Sequence, residues 1–340
     1  MILKILKEQM LLPREEYIIN QWANIRGIDL LLLSFTIEKN KNALWVMYVN
    51  DKLDLDNSTH NGYMEGFRTN RKKLLQNIER SRMYEHIFIK GMEIQGQTVT
   101  FDSSSCSSIY ESNIDGKMQL QHFAEKGLIP EVWDDIDLQN IFIAKYEQME
   151  YESVPCIDTT KELSVILHIE SSSIEVPIQS PFVVNFGKQP IGRKISYYNE
   201  EIKKENCFYI DEIYSFDIYE EIAKKAKQIE DKEVLKHIIM TMKDLCPIGK
   251  NMAVIKYETE DNTQLCFMTK DYLESEPVHS NSGASIGFIS NNDKIGINGY
   301  KVRECMLQPV DKDFSGKLEL ELFSRIIEIP GEAVRCFNRV

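Results

Sequence analysis

The order of apolar and polar positions along the chain predicts strands with a few helices between them. A helix is predicted after Pro13, because proline is favoured at a helix start and apolar positions then recur at helical spacing. These positions are Ile18, Ile19, Trp22 and Ile25. Two apolar runs, 28–37 and 43–49, flank a short polar stretch and predict a β-hairpin. A second helix is predicted over 64–83.

The next part of the chain is predicted to be β-structure followed by an irregular acidic segment. Two strands are predicted on either side of a turn between Gly91 and Gly96. The serine-rich residues 102–108 are predicted to form a loop, and another strand is predicted at 140–146. Residues 101–160 as a whole are interpreted as an acidic region that connects two halves.

The second half combines β-structure with one helical block. Strands are predicted at 163–169, 174–178 and 182–186. Helices are predicted within 215–245, where Glu220 and Lys224 form an i,i+4 pair and Pro247 ends the pattern. From residue 253 the pattern is β-rich again, with strands predicted at 253–257, 264–268, 285–289, 300–308 and 317–329.

Strands and helices come in blocks and do not alternate, which favours an α+β fold of mostly antiparallel sheets with segregated helices. The length of 340 residues favours two packed domains. We predict an N-terminal α+β domain over 1–155 and a C-terminal α+β domain over 156–340. The second is predicted to be helical at 215–245 and β-rich from 253.

The negative charge is concentrated in the middle of the chain. The net charge is −13, and residues 101–160 hold 12 acidic and 3 basic residues. An acidic protein repels nucleic acid phosphates and anionic membranes at long range, so neither is an expected partner. The acidic middle is suited to a basic surface, and another protein is the expected partner.

The cysteine usage and the short apolar runs predict a cytoplasmic protein. The seven cysteines are odd in number, widely spaced and without a C-x-x-C pair, which is typical of free thiols in a reducing compartment. The longest apolar run, 43–49, is too short to cross a membrane. A composition rich in Ile, Lys, Asn and Glu favours a bacterial source.

One polar segment, 272–288, is the first candidate for a ligand site. Carboxylates, an imidazole and small polar groups are concentrated there, and its candidate ligand-binding residues are Glu274, Glu276, His279, Asn281 and Ser285. Ser285 also lies in a G-x-S-x-G sequence, which in hydrolases carries the nucleophile. No histidine follows His279 to act as its base, so a small-residue turn explains this sequence better than a hydrolase does.

The predicted helix over 64–83 supplies a second candidate, an anion-binding face. Four basic residues fall within about 100° of one another on this helix: Arg68, Arg71, Lys72 and Arg82. Clustered guanidinium groups can hold a phosphate, a nucleic acid backbone or an acidic protein surface. The alternative is that they solubilise the helix beside its apolar stripe.

Other motifs give little further chemistry. The run 133–137 supplies three carboxylates beside a tryptophan, but the sequence assigns them no partner. The glycines at 296 and 299 are predicted to form a turn, and no compact pair of histidines is present. No metal centre is predicted, and no cofactor is assigned.

Two functions from different classes follow from these patterns. The favoured one is a non-catalytic interaction, regulatory or accessory protein of the bacterial cytoplasm. The alternative is a metal- or small-ligand-dependent enzyme or binding protein that uses segment 272–288.

Overall fold

The computed structural model describes residues 10–38, 41–50, 68–83, 87–150, 152–200, 202–226, 232–277 and 294–339. The chain divides into two compact units, each assembled from segments that are far apart in the sequence. Unit 1 comprises 1–63, 83–172 and 329–340, and unit 2 comprises 64–82 and 173–328. The division into two packed domains at residue 155 stays a prediction.

Unit 1 is built on one eight-stranded sheet. Its strands are β1 (Glu15–Ile25), β2 (Ile28–Ile37), β3 (Asn42–Val49), β4 (Ile89–Ile94), β5 (Gln97–Ser108), β6 (Ile141–Gln148), β7 (Val165–Ile169) and β16 (Glu332–Arg335). They lie in the order β1-β2-β3-β6-β5-β4-β7-β16, and neighbours pair antiparallel. The two ends of the sheet are joined, because the backbones of Trp22 and Phe337 exchange hydrogen bonds of 2.8 and 2.9 Å.

Both faces of the central strands of unit 1 are buried. Leu30 and Leu32 contribute to one apolar cluster, and Leu31 and Leu33 contribute to another on the opposite face. The helix α2 (Ile114–Glu125) packs against the second cluster through Phe123. Burial on both faces explains why the predicted strands 28–37 and 43–49 read as continuous apolar runs, and the hairpin they form is confirmed.

The predicted helix after Pro13 is wrong, because this stretch forms β1. A β-bulge lies in β1, since Ile18 pairs with Ser34 and Gln21 with Leu32. Asn20, inside the bulge, has a φ of 46°. The extra residue shifts the alternation of a strand, so that the apolar positions fall at spacings that imitate a helix.

The predicted loop at 102–108 is also wrong, because these residues extend β5. Ser103 pairs with Glu147 and Ser107 pairs with Ile143, so this serine-rich stretch completes the hydrogen bonding of β6. Pairing to a neighbouring strand outweighs the low strand propensity of such a sequence. The strand predicted at 140–146 is confirmed within β6.

Unit 2 contains two antiparallel sheets with an apolar core between them. Its strands are β8 (Ser172–Asn185), β9 (Gly187–Lys188), β10 (Lys194–Asn199), β11 (Lys204–Phe216), β12 (Lys250–Thr259), β13 (Gln264–Thr269), β14 (Val302–Asp311) and β15 (Lys317–Ile329). One sheet has the order β10-β11-β12-β14 with β9 beside β11, and the other has the order β13-β15-β8. Phe208, Tyr257 and Phe267 form the centre of the core.

Two strands predicted separately at 174–178 and 182–186 form the single strand β8. Pro177 and Pro181 lie within it. β8 is at the edge of its sheet, where a residue without a backbone N–H can be accommodated. Prolines that suggested a break between strands therefore mark an edge strand.

The remaining helices cover the sheets of unit 2. They are α1 (Asn70–Met83), α3 (Ile218–Ala226), α4 (Lys232–Leu245) and the short α5 (Lys270–Glu274). α3 and α4 pack around Ile218, Met242 and Cys246, which confirms the helical block at 215–245. α1 and α5 meet around Ile78, Leu273 and Phe323. The β-rich region after 253 is confirmed, while the strand predicted at 285–289 lies outside the described residues.

The fold is thus mostly antiparallel β-sheet with few helices, which is α+β or mainly β. Among the described residues, no helix is long and apolar enough to cross a membrane. All seven cysteines are free thiols.

Candidate functional site

The first turn of α1 and the beginning of segment 272–288 lie against each other. The side chain of Asn70, almost fully buried, donates hydrogen bonds from Nδ2 to Tyr272 O and Ser275 Oγ at 3.0 Å each, and to Glu276 O at 3.3 Å. Its backbone N–H donates to Ser275 O at 2.9 Å. The two stretches singled out from the sequence are therefore neighbours in unit 2.

The candidate ligand residues of this segment lie partly inside the described chain. Glu274 ends α5 and Glu276 follows it, and both are exposed. His279, Asn281 and Ser285 lie outside the described residues, as does the G-x-S-x-G sequence. A ligand or metal site formed by these five residues stays a prediction.

The four basic residues predicted to form an anion-binding face have different surroundings. Arg71 forms a two-pronged ion pair with Glu321, in which Nη2 lies 2.8 Å from Oε2. These hydrogen bonds raise the pKa of Arg71. Arg68, Lys72 and Arg82 are exposed. Arg71 and Arg82 are eleven residues apart, or about 16 Å along the axis, which is too far for both to hold one phosphate.

A cleft of about 360 Å³ lies beside Arg71 in unit 2. Its walls include the apolar side chains of Phe182 and Val183, and a second ion pair, Lys270 with Glu319 at 3.1 Å. Each cation of the cleft thus faces a carboxylate. The charge of this site is balanced from within, and the anion-binding face stays a prediction.

Unit 1 contains a larger cleft, of about 420 Å³, that we call the tryptophan cleft. Trp22 of β1 and Trp133 form its aromatic wall, with ring centroids 5.8 Å apart and an edge-to-face angle of 83°. Trp133 lies in a single 3₁₀ turn, Glu131–Trp133, and is buried, whereas its neighbour Val132 is 77% exposed. The buried side chain of Trp133 thus fixes the turn that exposes Val132 at the rim of the cleft.

Four carboxylates lie next to the rim residues in the sequence, and we call them the acidic surface: Glu131, Asp134, Asp135 and Asp137. All four are exposed. The backbone N–H of Asp134 donates to Glu131 O at 3.1 Å, and Asp137 Oδ1 accepts from the backbone N–H of Gln139 at 3.1 Å. The 3₁₀ turn Glu131–Trp133 and a second one, Leu138–Asn140, therefore hold the carboxylates beside them on an ordered backbone.

A guanidinium group lies over the tryptophan cleft. The Cζ atom of Arg339 is 4.6 Å from the centroid of the Trp22 ring, and its Nη2 is 3.3 Å from Asp29 Oδ2. Asn24 Nδ2 donates to the other oxygen of Asp29 at 2.6 Å and orients this carboxylate. An aromatic face and an oriented carboxylate together form a receptor for a planar cation.

Sequence reasoning missed the tryptophan cleft for a physical reason. It recognised the carboxylates at 133–137 but found no partner for them, and it placed Trp22 on a helix. The cleft forms because the backbone of Trp22 pairs with that of Phe337, at the opposite end of the sheet. The only local signal is Trp133 within an acidic run, since a large apolar residue there needs a partner to bury it.

A pair of buried carboxyl groups lies in unit 2. Glu258 is fully buried and accepts hydrogen bonds from the backbone N–H groups of Asn298 at 3.0 Å and Tyr300 at 2.9 Å. Burial works against its charge, but these donors outweigh it and lower the pKa of Glu258. Burial, and then the neighbouring Glu258, raise the pKa of Asp211 to about 7.

The chain closes over Glu258 through the turn at 296–299, which the sequence predicted and the structure confirms. Gly296 lies so close to Glu258 that a Cβ atom there would be 2.2 Å from the carboxyl group. The pair attaches the turn to β11 and β12. Among the described residues, no three His, Cys, Asp or Glu side chains form a group that could hold a metal ion.

The chain was compared with family models, curated proteins and solved structures. No family model matches the chain, and neither a curated protein nor a solved structure matches it.

Proposed function

We propose that the protein is a non-catalytic interaction or regulatory protein of the bacterial cytoplasm, which binds a basic partner protein through the acidic surface of unit 1. The observation that carries this proposal is the presence of four exposed carboxylates within seven residues, fixed on the backbone next to buried Trp133. Such an arrangement keeps the charges ordered before a partner arrives, which lowers the entropic cost of binding.

The acidic surface and the tryptophan cleft supply the electrostatic attraction and the apolar contact area that a protein interface combines. Clustered carboxylates attract a basic surface at long range and accelerate association. Exposed Val132 and the aromatic wall behind it supply apolar contact area at short range. Tryptophan is enriched among the residues that dominate binding energy. Binding of a basic protein is thus favoured over binding of nucleic acid, whose phosphates the same carboxylates repel.

The cellular location is proposed on composition. Seven free thiols suit a reducing compartment, and the Ile, Lys, Asn and Glu content suits a bacterium. The acidic net charge of −13 is compatible with a partner of opposite charge.

The proposal is tested with a variant in which amides replace the four carboxylates of the acidic surface, so that the charge is removed and the backbone conformation is retained. Glu131→Gln, Asp134→Asn, Asp135→Asn and Asp137→Asn are combined in one variant, because Asn retains the acceptor that Asp137 supplies to Gln139. Binding to an array of lysine- and arginine-rich peptides is measured at about 150 mM salt, where long-range attraction is largely screened. We expect the variant to bind roughly tenfold or more weakly than the wild type.

The matched control removes four exposed carboxylates from unit 2: Glu200→Gln, Glu205→Gln, Asp313→Asn and Glu328→Gln. It changes the net charge equally and should leave peptide affinity within about twofold, because screened charges elsewhere contribute little. Equal losses in both variants would show that only net charge matters, and the proposal would then be wrong.

A further inference from the structure

The contacts of Arg339 resemble those of a bound ligand more than those of a structural ion pair. Its guanidinium is 4.6 Å above the Trp22 ring and 3.3 Å from Asp29, yet the side chain is 54% exposed. Exposed ion pairs contribute little to the stability of a fold. This arginine can therefore leave the site without large structural consequences, whereas buried Trp22 and hydrogen-bonded Asp29 remain.

Arg339 and residues next to the acidic surface line the same cleft. Val132, Trp133 and Ile136, which lie between the four carboxylates in the sequence, line it together with Trp22, Asp29 and Arg339. A basic segment that approaches the carboxylates of the rim is thus brought next to the place that Arg339 occupies. The charge around the cleft attracts the kind of side chain that fits it.

A second arginine, Arg26, also lines the cleft. Arg26 donates to Ser172 Oγ at 2.7 Å and to Glu170 O at 3.1 Å, and its Nε is 3.9 Å from Glu332. Both Nη atoms are therefore engaged by groups other than Asp29. Asp29 is left as the carboxylate that faces the guanidinium above Trp22.

We infer that Trp22 and Asp29 form a guanidinium-binding site, which Arg339 occupies within the same chain and which an arginine of the basic partner takes over on binding. This inference rests on the proposed function and adds to it the class of side chain that is recognised. Arginine fits better than lysine because a planar guanidinium stacks on an indole ring while it donates to a carboxylate. Arg339 acts as an internal competitor that weakens the binding of partners without a suitable arginine.

The experiment compares Arg339→Gln, alone and combined with Asp29→Asn, with the wild type by calorimetric titration of a peptide of alternating glycine and arginine. Peptides with lysine or with citrulline in place of arginine are titrated in parallel. Without the internal competitor, Arg339→Gln should bind the arginine peptide roughly three- to tenfold more tightly. Adding Asp29→Asn to Arg339→Gln should cancel this gain, because the carboxylate is then lost with no competitor to mask the effect. A citrulline peptide, which has no charge, should not bind Arg339→Gln more tightly than the wild type.

The matched control is Arg335→Gln, which removes the same charge from the exposed end of β16. It should leave the affinity for the arginine peptide unchanged. Equal tightening in Arg335→Gln and Arg339→Gln would reduce the effect to net charge and overturn the inference. Weaker or unchanged binding in Arg339→Gln would overturn it as well, since the arginine would then not compete.

The two proposals can fail separately. If the four-carboxylate variant of the acidic surface loses peptide binding while Arg339→Gln, alone or combined with Asp29→Asn, does not change it, the interaction surface stands and the guanidinium site is wrong. If a peptide binds to Arg339→Gln but not to the wild type, the inference is supported in its strongest form. If no variant binds a peptide, and the four-carboxylate variant does not differ from the wild type, both proposals are wrong.

Discussion

At the scale of single residues, the carboxyl pair of unit 2 is the group whose charge the fold alters most clearly. Asp211 lies at a bulge of β11, between Ile210 and Glu212 in the register with β12. Asn298 Nδ2 donates to Glu258 at 2.8 Å and lies 3.4 Å from Asp211. Lys256 lowers the pKa of Asp211 and Glu212 raises it further, but burial and Glu258 have the larger effects.

This pair predicts a pH dependence of stability. Since the pKa of Asp211 is about 7 in the folded protein and 3.8 for the ordinary group, its contribution to stability is fully present below about pH 4 and is lost as the pH rises to about 7. Asp211→Asn cannot ionise and should not lose stability over this interval. The check is the free energy of unfolding in urea at pH 5 and pH 8.

The control for this prediction is Asp313→Asn, whose side chain is exposed. It should follow the wild type at both pH values. If Asp211→Asn loses as much stability between pH 5 and pH 8 as the wild type, Asp211 is not the group responsible.

At the scale of elements, one side chain attaches the start of α1 to the segment after α5. Asn70 donates across this contact from its backbone N–H and from the two N–H groups of its side-chain amide, which three acceptors share. No apolar residue can replace these donors, because the backbone carbonyl of Glu276 and the hydroxyl of Ser275 accept from them. Helix α1 is thus held by a polar contact at its first residue and by Ile78 further along.

Two substitutions at this position should differ in a fixed order. Asn70→Ala removes the donors and should cost about 1–3 kcal/mol of stability. Asn70→Asp should cost more, because a carboxylate then faces carbonyl oxygens. Thermal or urea unfolding measures both, and Asn77→Ala on the exposed side of the same helix should be neutral or slightly stabilising. An aspartate variant as stable as the alanine variant would contradict the assignment of these donors.

At the scale of the whole molecule, the seven cysteines are distributed over both units, and their thiols differ in burial and therefore in reactivity. Burial raises the pKa of Cys266 and Cys336 to about 12 and that of Cys305 to about 11. Cys207, Cys246 and Cys336 are buried, and Cys266 and Cys305 are half-buried. Cys156 is exposed, whereas the exposed Cys106 has its Sγ 3.3 Å from the Tyr48 hydroxyl. A thiolate is the reactive form, so burial slows modification.

We therefore predict that a thiol reagent modifies Cys156 fastest in the native protein, Cys106 more slowly, and the other five only on unfolding. Mass spectrometry of the labelled peptides at successive times gives the order. In denaturant all seven should react at similar rates. Rapid labelling of Cys266, Cys305 or Cys336 under native conditions would show that these thiols are more accessible than the structure places them.

The sequence by itself determined the elements whose signals are local. The hairpin at 28–37 and 43–49, the helices near 218–245 and the turn at 296–299 each follow from residues that are adjacent in the chain, through apolar runs, i,i+4 pairs or glycine. Leu318, Leu320 and Leu322 alternate in the sequence and face the core of unit 2, because the period of a strand is two.

The tertiary structure alone decided the elements and sites that depend on distant partners. β1 looks helical because a bulge shifts its alternation, and the serines of β5 become a strand only because β6 offers hydrogen bonds to them. The guanidinium contact joins Asp29 and Arg339, which are 310 residues apart in the sequence. No local pattern records such a pairing, since the attraction between an aromatic ring, a carboxylate and a guanidinium depends on their distance in space and not on their spacing along the chain.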